Sequence, residues 1–121
     1  MGGFTDFYKV SAVNGGMKYF RLKKQTDFQK LFGRGKRVFS PSLTLLYRPS
    51  DRLSMGISLG KKHGKAVKRN RIKRLLREAF RAEMEGIKGT YSVVLVPKVA
   101  EEYSLKTYRD HIRWMIKKEK L

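Results

Sequence analysis

The sequence has no cysteine, three prolines, one tryptophan and ten acidic residues among its 121 positions. Without cysteine, neither a disulfide framework nor a thiolate metal site is possible, and a reducing compartment such as the cytoplasm fits. No apolar run approaches the ~20 residues needed to span a bilayer, and the first residues lack the continuous apolar core of a secretory signal. The few carboxylates are scattered, so no compact acidic cluster is expected to hold two divalent ions at a phosphate, which argues against a metal-dependent nuclease centre made of protein. His63 and His111 are the only histidines. They fall in different expected elements and suggest no metal site. His63, next to Gly64 and among lysines, reads as a solvated or phosphate-facing residue rather than a general base.

Against the ten acids stand 29 Lys and Arg residues, for a formal charge of +19. That excess is far beyond what solubility needs and points to a polyanionic partner. With 40% apolar and 12% aromatic residues, the chain has enough apolar surface to fold, unlike a disordered basic tail. Its length suits one domain with a single modest core, folding burying roughly two thirds of the unfolded surface. A peripheral hold on anionic lipid is open from charge alone. Nucleic acid ranks above it, because the basic residues sit on a helix whose other face reads as core.

That helix lies within Lys61 to Arg81, KKHGKAVKRNRIKRLLREAFR. Asn70, Lys73, Arg74, Arg77 and Arg81 recur at i, i+3, i+4, i+7 and i+11 and form one polar stripe. Ile72, Leu75, Leu76, Ala79 and Phe80 form the opposite, apolar stripe. One face is suited to burial, and the other concentrates like charge that costs stability until an anion lies against it.

Residues 1–16 carry one Lys, one Asp, four Gly and no clear period. They read as a flexible extension or a segment foreign to the native protein, with the domain expected over 17–121. An extended arm follows, its basic residues interleaved with Tyr19, Phe20 and Leu22. Thr26 and Gln29 suggest a capping box for a short helix from Asp27 to Phe32, stopped by Gly33 and Gly35. Phe28, Leu31 and Phe32 share one face of it; Leu31 is expected in the core, while Phe28 and Phe32 suit either core packing or base stacking. Strands are expected at Arg37 to Phe39, at Ser42 to Arg48 and around Met55 to Leu59. The last has a nearly bare face of Gly56, Ser58 and Gly60, which marks either close approach by backbone or ligand, or simple packing. Tyr91 to Val96, closed by Pro97, is a further strand that makes a parallel βαβ unit with the basic helix. Ser104 N-caps the last helix, with Tyr103 and Tyr108 as a hydrophobic staple. Leu105, Tyr108, Ile112, Met115 and Ile116 give that helix its buried face. Trp114 falls on the other side, where edge packing is expected, and Lys117 to Leu121 should fray.

The segment KKHGKAVKRNRIKRLLREAF closely resembles the signature of the bacterial ribonuclease P protein family, with Arg69, Asn70 and Arg71 as its arginine-asparagine-arginine core. RLKKQTDFQKLFGRGK at Arg21 to Lys36, MGISLGKK at Met55 to Lys62 and YSVVLVPK at Tyr91 to Lys98 resemble family segments in the same order, so the likeness spans about Tyr19 to Ile116. It implies an α+β fold, a two-layer sandwich with a sheet of about four strands, of a kind found in ribosomal proteins. Its βαβ crossover would be left-handed, against the usual hand. The resemblance also implies that the catalyst is ribonuclease P RNA and that no protein residue is catalytic. The protein would bind that RNA and receive the 5′ leader of precursor tRNA in a cleft between the first helix and the sheet. It would thereby assist endonucleolytic removal of the leader. Mg²⁺ ions would be held mainly by RNA phosphates, with no membrane and no obligate protein partner.

On the motif, the resemblance assigns Lys62, Lys65, Arg69, Asn70, Arg71, Lys73, Arg74 and Arg77 to phosphate and sugar contacts with the catalytic RNA. It assigns Phe28 and Phe32 to the leader cleft. The helical wheel agrees for Asn70, Lys73, Arg74 and Arg77, while it sets Arg69 nearer the apolar side and Arg71 on a flank. Relatives often place an aromatic on the cleft face of the strand matching Ser42 to Arg48; here Tyr47 has the opposite parity to Thr44 and Leu46. Two other readings share much of this pattern: a structural RNA-binding protein of ribosomal type, and a protein nuclease acting alone.

Overall fold

Leu43 to Pro49 and Tyr91 to Pro97 are apolar along one face, at Leu43, Leu45, Tyr47, Val93 and Leu95, and partly so along the other, at Leu46, Val94 and Val96, which suits strands covered fully on one side and in part on the other. They form the centre of the sheet in the computed structural model, which describes residues 19–22 and 24–121. The strands are β1 (Phe20–Arg21), β2 (Lys36–Phe39), β3 (Leu43–Pro49), β4 (Ser54–Ile57) and β5 (Tyr91–Pro97). Among the described residues the α-helices are α1 (Gln25–Arg34), α2 (Ala66–Glu83) and α3 (Leu105–Glu119). The sheet order is β1-β4-β5-β3-β2. β4 runs parallel to β5, so α2 is the crossover of a βαβ unit between neighbouring strands, while β3 is antiparallel to both β5 and β2.

The fifth strand, beyond the four expected, is β1. Its two residues pair with β4 in parallel, held by Phe20 N–H on the Leu53 carbonyl at 2.8 Å and Leu22 N–H on the Met55 carbonyl at 3.0 Å. The sequence there reads only as an extended arm because the pairing partner lies more than thirty residues away. The segment 1–16 lies outside the described residues.

The main sandwich sets α2 and α3 against one face of the sheet. Leu43, Leu45, Tyr47, Met55, Val93 and Leu95 point into it and meet Ile72, Leu76, Ala79 and Phe80 of α2 and Tyr108, Ile112, Met115 and Ile116 of α3. Phe80 packs edge-on against Tyr19 at 5.4 Å. The Tyr47 hydroxyl donates to Glu119 Oε1 at 2.6 Å, and burial together with that carboxylate pushes its pKa up to about 12. On the other face α1 buries a smaller cluster of Leu22, Leu31, Leu46 and Val94, with Phe28 and Val96 against it.

Several local expectations are corrected. α1 begins at Gln25 behind Lys24, whose side chain makes no cap, so Thr26 lies inside the helix and the Thr26–Gln29 capping box does not form. The first turn closes instead through the Lys24 carbonyl, which accepts from Asp27 N–H at 3.1 Å and Phe28 N–H at 3.3 Å. Gly33 does not stop the helix, which runs on to Arg34. Gly35 does: its N–H bonds the Leu31 carbonyl, and a Cβ there would stand 2.6 Å from that oxygen. Ser104 caps α3 as expected, accepting from Thr107 N–H, and Tyr103 stacks on Tyr108 with ring centres 6.4 Å apart. The far end of α3 does not fray. Lys120 adopts a left-handed conformation (φ 56°), Leu121 N–H returns to the Ile116 carbonyl, and the buried Leu121 accepts from Lys88 and Gly89 N–H through its carbonyl. This is a Schellman-type end, with an apolar residue closing the last turn.

Candidate nucleic-acid interface

The stripe on α2 faces outward. Asn70, Arg71 and Arg74 are exposed, while Lys73, Arg77 and Arg81 are half-buried, as expected of long cations whose stems lie along the helix surface. Among the described residues, Lys73, Arg74, Arg77 and Arg81 have no ion pair with a carboxylate; the ion pairs belong to Arg109 and Arg113. The crowding has an electrostatic signature at Arg77, whose pKa is lowered by burial first, then by Arg21, and also by Arg81 and Arg74. Arg21 therefore belongs to this surface although it comes from β1. No local pattern in the sequence could have placed it there, because a distant strand pairing sets its position.

Arg69 is half-buried, and its Nε is shut off from solvent with no partner. This matches its place toward the apolar side of the wheel. Lys62 and Lys65 are exposed on the turn that precedes α2. Gly64 makes that turn possible with φ of 103°, a region that side chains rarely adopt.

His63 is neither solvated nor phosphate-facing. It is 8% exposed, its Nδ1 accepts from Gly60 N–H at 3.1 Å, and its Nε2 meets the Pro97 carbonyl at 2.7 Å. An acceptor at Nδ1 and a carbonyl at Nε2 select the neutral tautomer protonated on Nε2. His63 thus ties the Lys61–His63 turn to the end of β5 and holds the lysines on either side of it outward. Its lysine neighbours suggest exposure, but the buried carbonyl that captures the ring is remote in sequence.

A second open surface lies on the α1 side of the sheet. Phe28 of α1 sits directly over Gly56, where a Cβ would come within 2.5 Å of its Cζ and 2.9 Å of Leu22 Cβ. Gly56 is therefore a packing requirement of α1, whereas β4 ends at Ile57 and a Cβ at Gly60 would meet nothing within 4 Å. Phe32, one turn on, is 38% exposed, and its carbonyl accepts from Arg37 of β2 at 2.8 Å. In the register of β2 and β3, Arg37 pairs with Leu46 and Phe39 with Thr44, so all four side chains share the α1 face. α1 covers Leu46 and Val94 but leaves Thr44 and Val96 half-exposed and Phe39 60% exposed. Tyr47 points into the opposite core, as its parity requires, and Phe39 on the adjacent strand supplies the aromatic on the open face. Strand alternation alone could have singled out Phe39, given the pairing of β2 with β3.

Trp114 stands 48% exposed on α3 rather than packed at an edge, with Lys118 Nζ 4.9 Å from its ring centre. His111 lies on the flank of the same helix with Nδ1 2.6 Å from Ser42 Oγ. Among the described residues, no three His, Cys, Asp or Glu side chains gather where a metal ion could be held. No helix among them is long and apolar enough to cross a membrane.

The frame and these two surfaces define a small, strongly basic α+β protein of the kind that suits a polyanion. Residues 17–120 match the family model described as Ribonuclease P. The ribonuclease P protein component of Clostridioides difficile is 39% identical over 92 residues, covering 74% of this chain and 79% of that protein. Its counterpart in Bacillus velezensis is 36% identical over 104 residues, covering 84% and 90%. Among solved structures, the Staphylococcus aureus RNase P protein superposes with a TM-score of 0.73 at 28% identity over 85% of this chain and 97% of that one. The Thermotoga maritima RNase P protein superposes at 0.71, also at 28% identity, over 80% and 96%. The chain belongs to the ribonuclease P protein family.

Proposed function

We propose that this chain, as a ribonuclease P protein component, docks the catalytic RNA through α2 and the turn before it and takes the 5′ leader of precursor tRNA into the cleft between α1 and the sheet. Lys62, Lys65, Arg69, Asn70, Arg71, Lys73, Arg74 and Arg77 contact phosphates and sugars of the catalytic RNA, joined by Arg21. Phe28 and Phe32 stack on leader bases, and Phe39 extends that aromatic wall. The observation that carries the docking is the outward stripe of Lys73, Arg74, Arg77 and Arg81, which have no carboxylate partner among the described residues; like charges held together in this way favour an external anion.

Affinity for the RNA should come mostly from counterion release and carry little base readout. Stacking in the cleft tolerates any leader sequence, because every base offers a π face. Hydrolysis belongs to the RNA, as do the Mg²⁺ ions, for which the described residues assemble no carboxylate site. We place the protein in the cytoplasm and infer no obligate protein partner. The test is reconstitution with a bacterial ribonuclease P RNA at low Mg²⁺. Protein-dependent cleavage leaving a mature tRNA 5′ end is expected. RNA binding without stimulation would favour a ribosomal-type structural role, and cleavage that survives rigorous removal of RNA would favour a protein nuclease.

A further inference from the structure

We infer that α3 carries a separate binding surface for single-stranded RNA, in which Trp114 stacks on an unpaired base and Lys117 and Lys118 hold the flanking phosphates; this rests on the reading of the chain as a ribonucleoprotein subunit. The apolar side of α3 is fully used by Tyr108, Ile112, Met115 and Ile116, so Trp114 is not part of a shifted core face. It projects among exposed cations, with Lys118 over its ring at 4.9 Å and half of its surface still in solvent.

The neighbouring charges divide into two groups. Arg113 is held by Glu83 at 2.8 and 3.1 Å and faces Asp110 at 4.0 Å, so its charge is answered within the fold. Lys117 and Lys118 have no carboxylate partner among the described residues. Beside Lys117 a cleft of about 600 Å³ opens between the ends of α3 and α2; Lys88 and Lys120 add two further ammonium groups to its wall, against the carboxylates of Glu85 and of Glu83, the latter already held by Arg109 and Arg113.

An aromatic ring with free lysines around it is the arrangement that grips single strands. A protein partner would instead be expected to meet an apolar centre from which lysine is depleted. The surface is also separate from the α2 stripe. The stripe turns toward Arg21 of β1, at one edge of the sheet, whereas α3 is tied toward the other side by His111 on Ser42 and Glu119 on Tyr47.

Trp114 is the only tryptophan in the chain, so its emission reports on this surface alone. The full-length protein would be titrated with a short single-stranded oligoadenylate carrying an end label, following tryptophan emission and label anisotropy together, with polyphosphate as a polyanion without bases. Oligoadenylate should quench Trp114 and polyphosphate should not. The quenching should persist in Arg74→Ala/Arg77→Ala and shift to higher concentration in Lys117→Ala/Lys118→Ala. In a Phe32→Ala/Phe39→Ala background, which weakens stacking in the leader cleft, Trp114→Leu should weaken binding by about a further fivefold or more by anisotropy. Emission unchanged at saturating oligoadenylate, equal quenching by polyphosphate, or unchanged affinity on adding Trp114→Leu to that background would overturn the inference. Failure of the unsubstituted protein to stimulate cleavage would strike the proposed function instead, whatever Trp114 reports.

Discussion

On the side of α2 and α3 the sheet is closed: Leu43, Leu45, Tyr47, Met55, Val93 and Leu95 are all buried against helix. On the side of α1, Leu46 and Val94 are covered while Phe39, Thr44 and Val96 remain within reach of solvent. A central strand such as β5 therefore serves two purposes, since alternate residues supply either the core or the floor of an open cleft. Stability should reside on the first face and binding on the second, so substitutions on the two faces should separate these readouts.

The largest effect is expected from Phe80→Ala, which empties the centre of the closed face and should cost about 3–5 kcal/mol in denaturant unfolding. Gly56→Ala pushes a methyl into Phe28 and Leu22 on the open face. It should cost about 1–3 kcal/mol and, if Phe28 lines the proposed leader cleft, weaken leader binding as well. Phe39→Ala should leave the unfolding midpoint unchanged while leader affinity falls by about 1–3 kcal/mol, the worth of one stacked base; equal leader affinity would remove Phe39 from the cleft.

The smallest effect tests the charge that is neutralised within the fold. Glu83 accepts from Arg113 and Arg109, and these bonds, Arg113 first, hold its carboxyl below the usual range despite opposing burial. A depressed folded value stabilises the protein above the unfolded carboxylate range, and that stabilisation is lost as pH falls through the folded value. Glu83→Gln should therefore destabilise by about 1 kcal/mol at neutral pH, the arginines being half in solvent. The deficit should vanish in acid, and a deficit independent of pH would rule out the ion pair as its cause.

Much of the frame was legible in the sequence. β3, β5, the two faces of α2 and the Ser104 cap all follow from periodicity or a local cap, which involve neighbours in the chain. Elements decided by distant partners were not legible. β1 exists only because β4 accepts it, and α1 starts early because a backbone carbonyl closes its first turn. His63 is buried by the carbonyl of Pro97, and the end of α3 is anchored by Lys88 and Gly89. The candidate site divides in the same way. The α2 stripe could be read from spacing, whereas Arg21 and Phe39 reach their surfaces only through strand pairing. The wheel sets Trp114 on the outer side of α3, but nothing in it says that about half of the side chain stays in solvent, with only Lys118 over the ring.

The claim that α2 is the dock for the catalytic RNA is tested most directly by the salt dependence of affinity for a ribonuclease P RNA, compared between the unsubstituted protein and Arg74→Ala/Arg77→Ala. Each lost phosphate contact should reduce the slope of log K against log salt by about 0.7–0.9, with weaker binding and an unchanged fold by circular dichroism. A slope identical in the two proteins would contradict the account and place the RNA on another face.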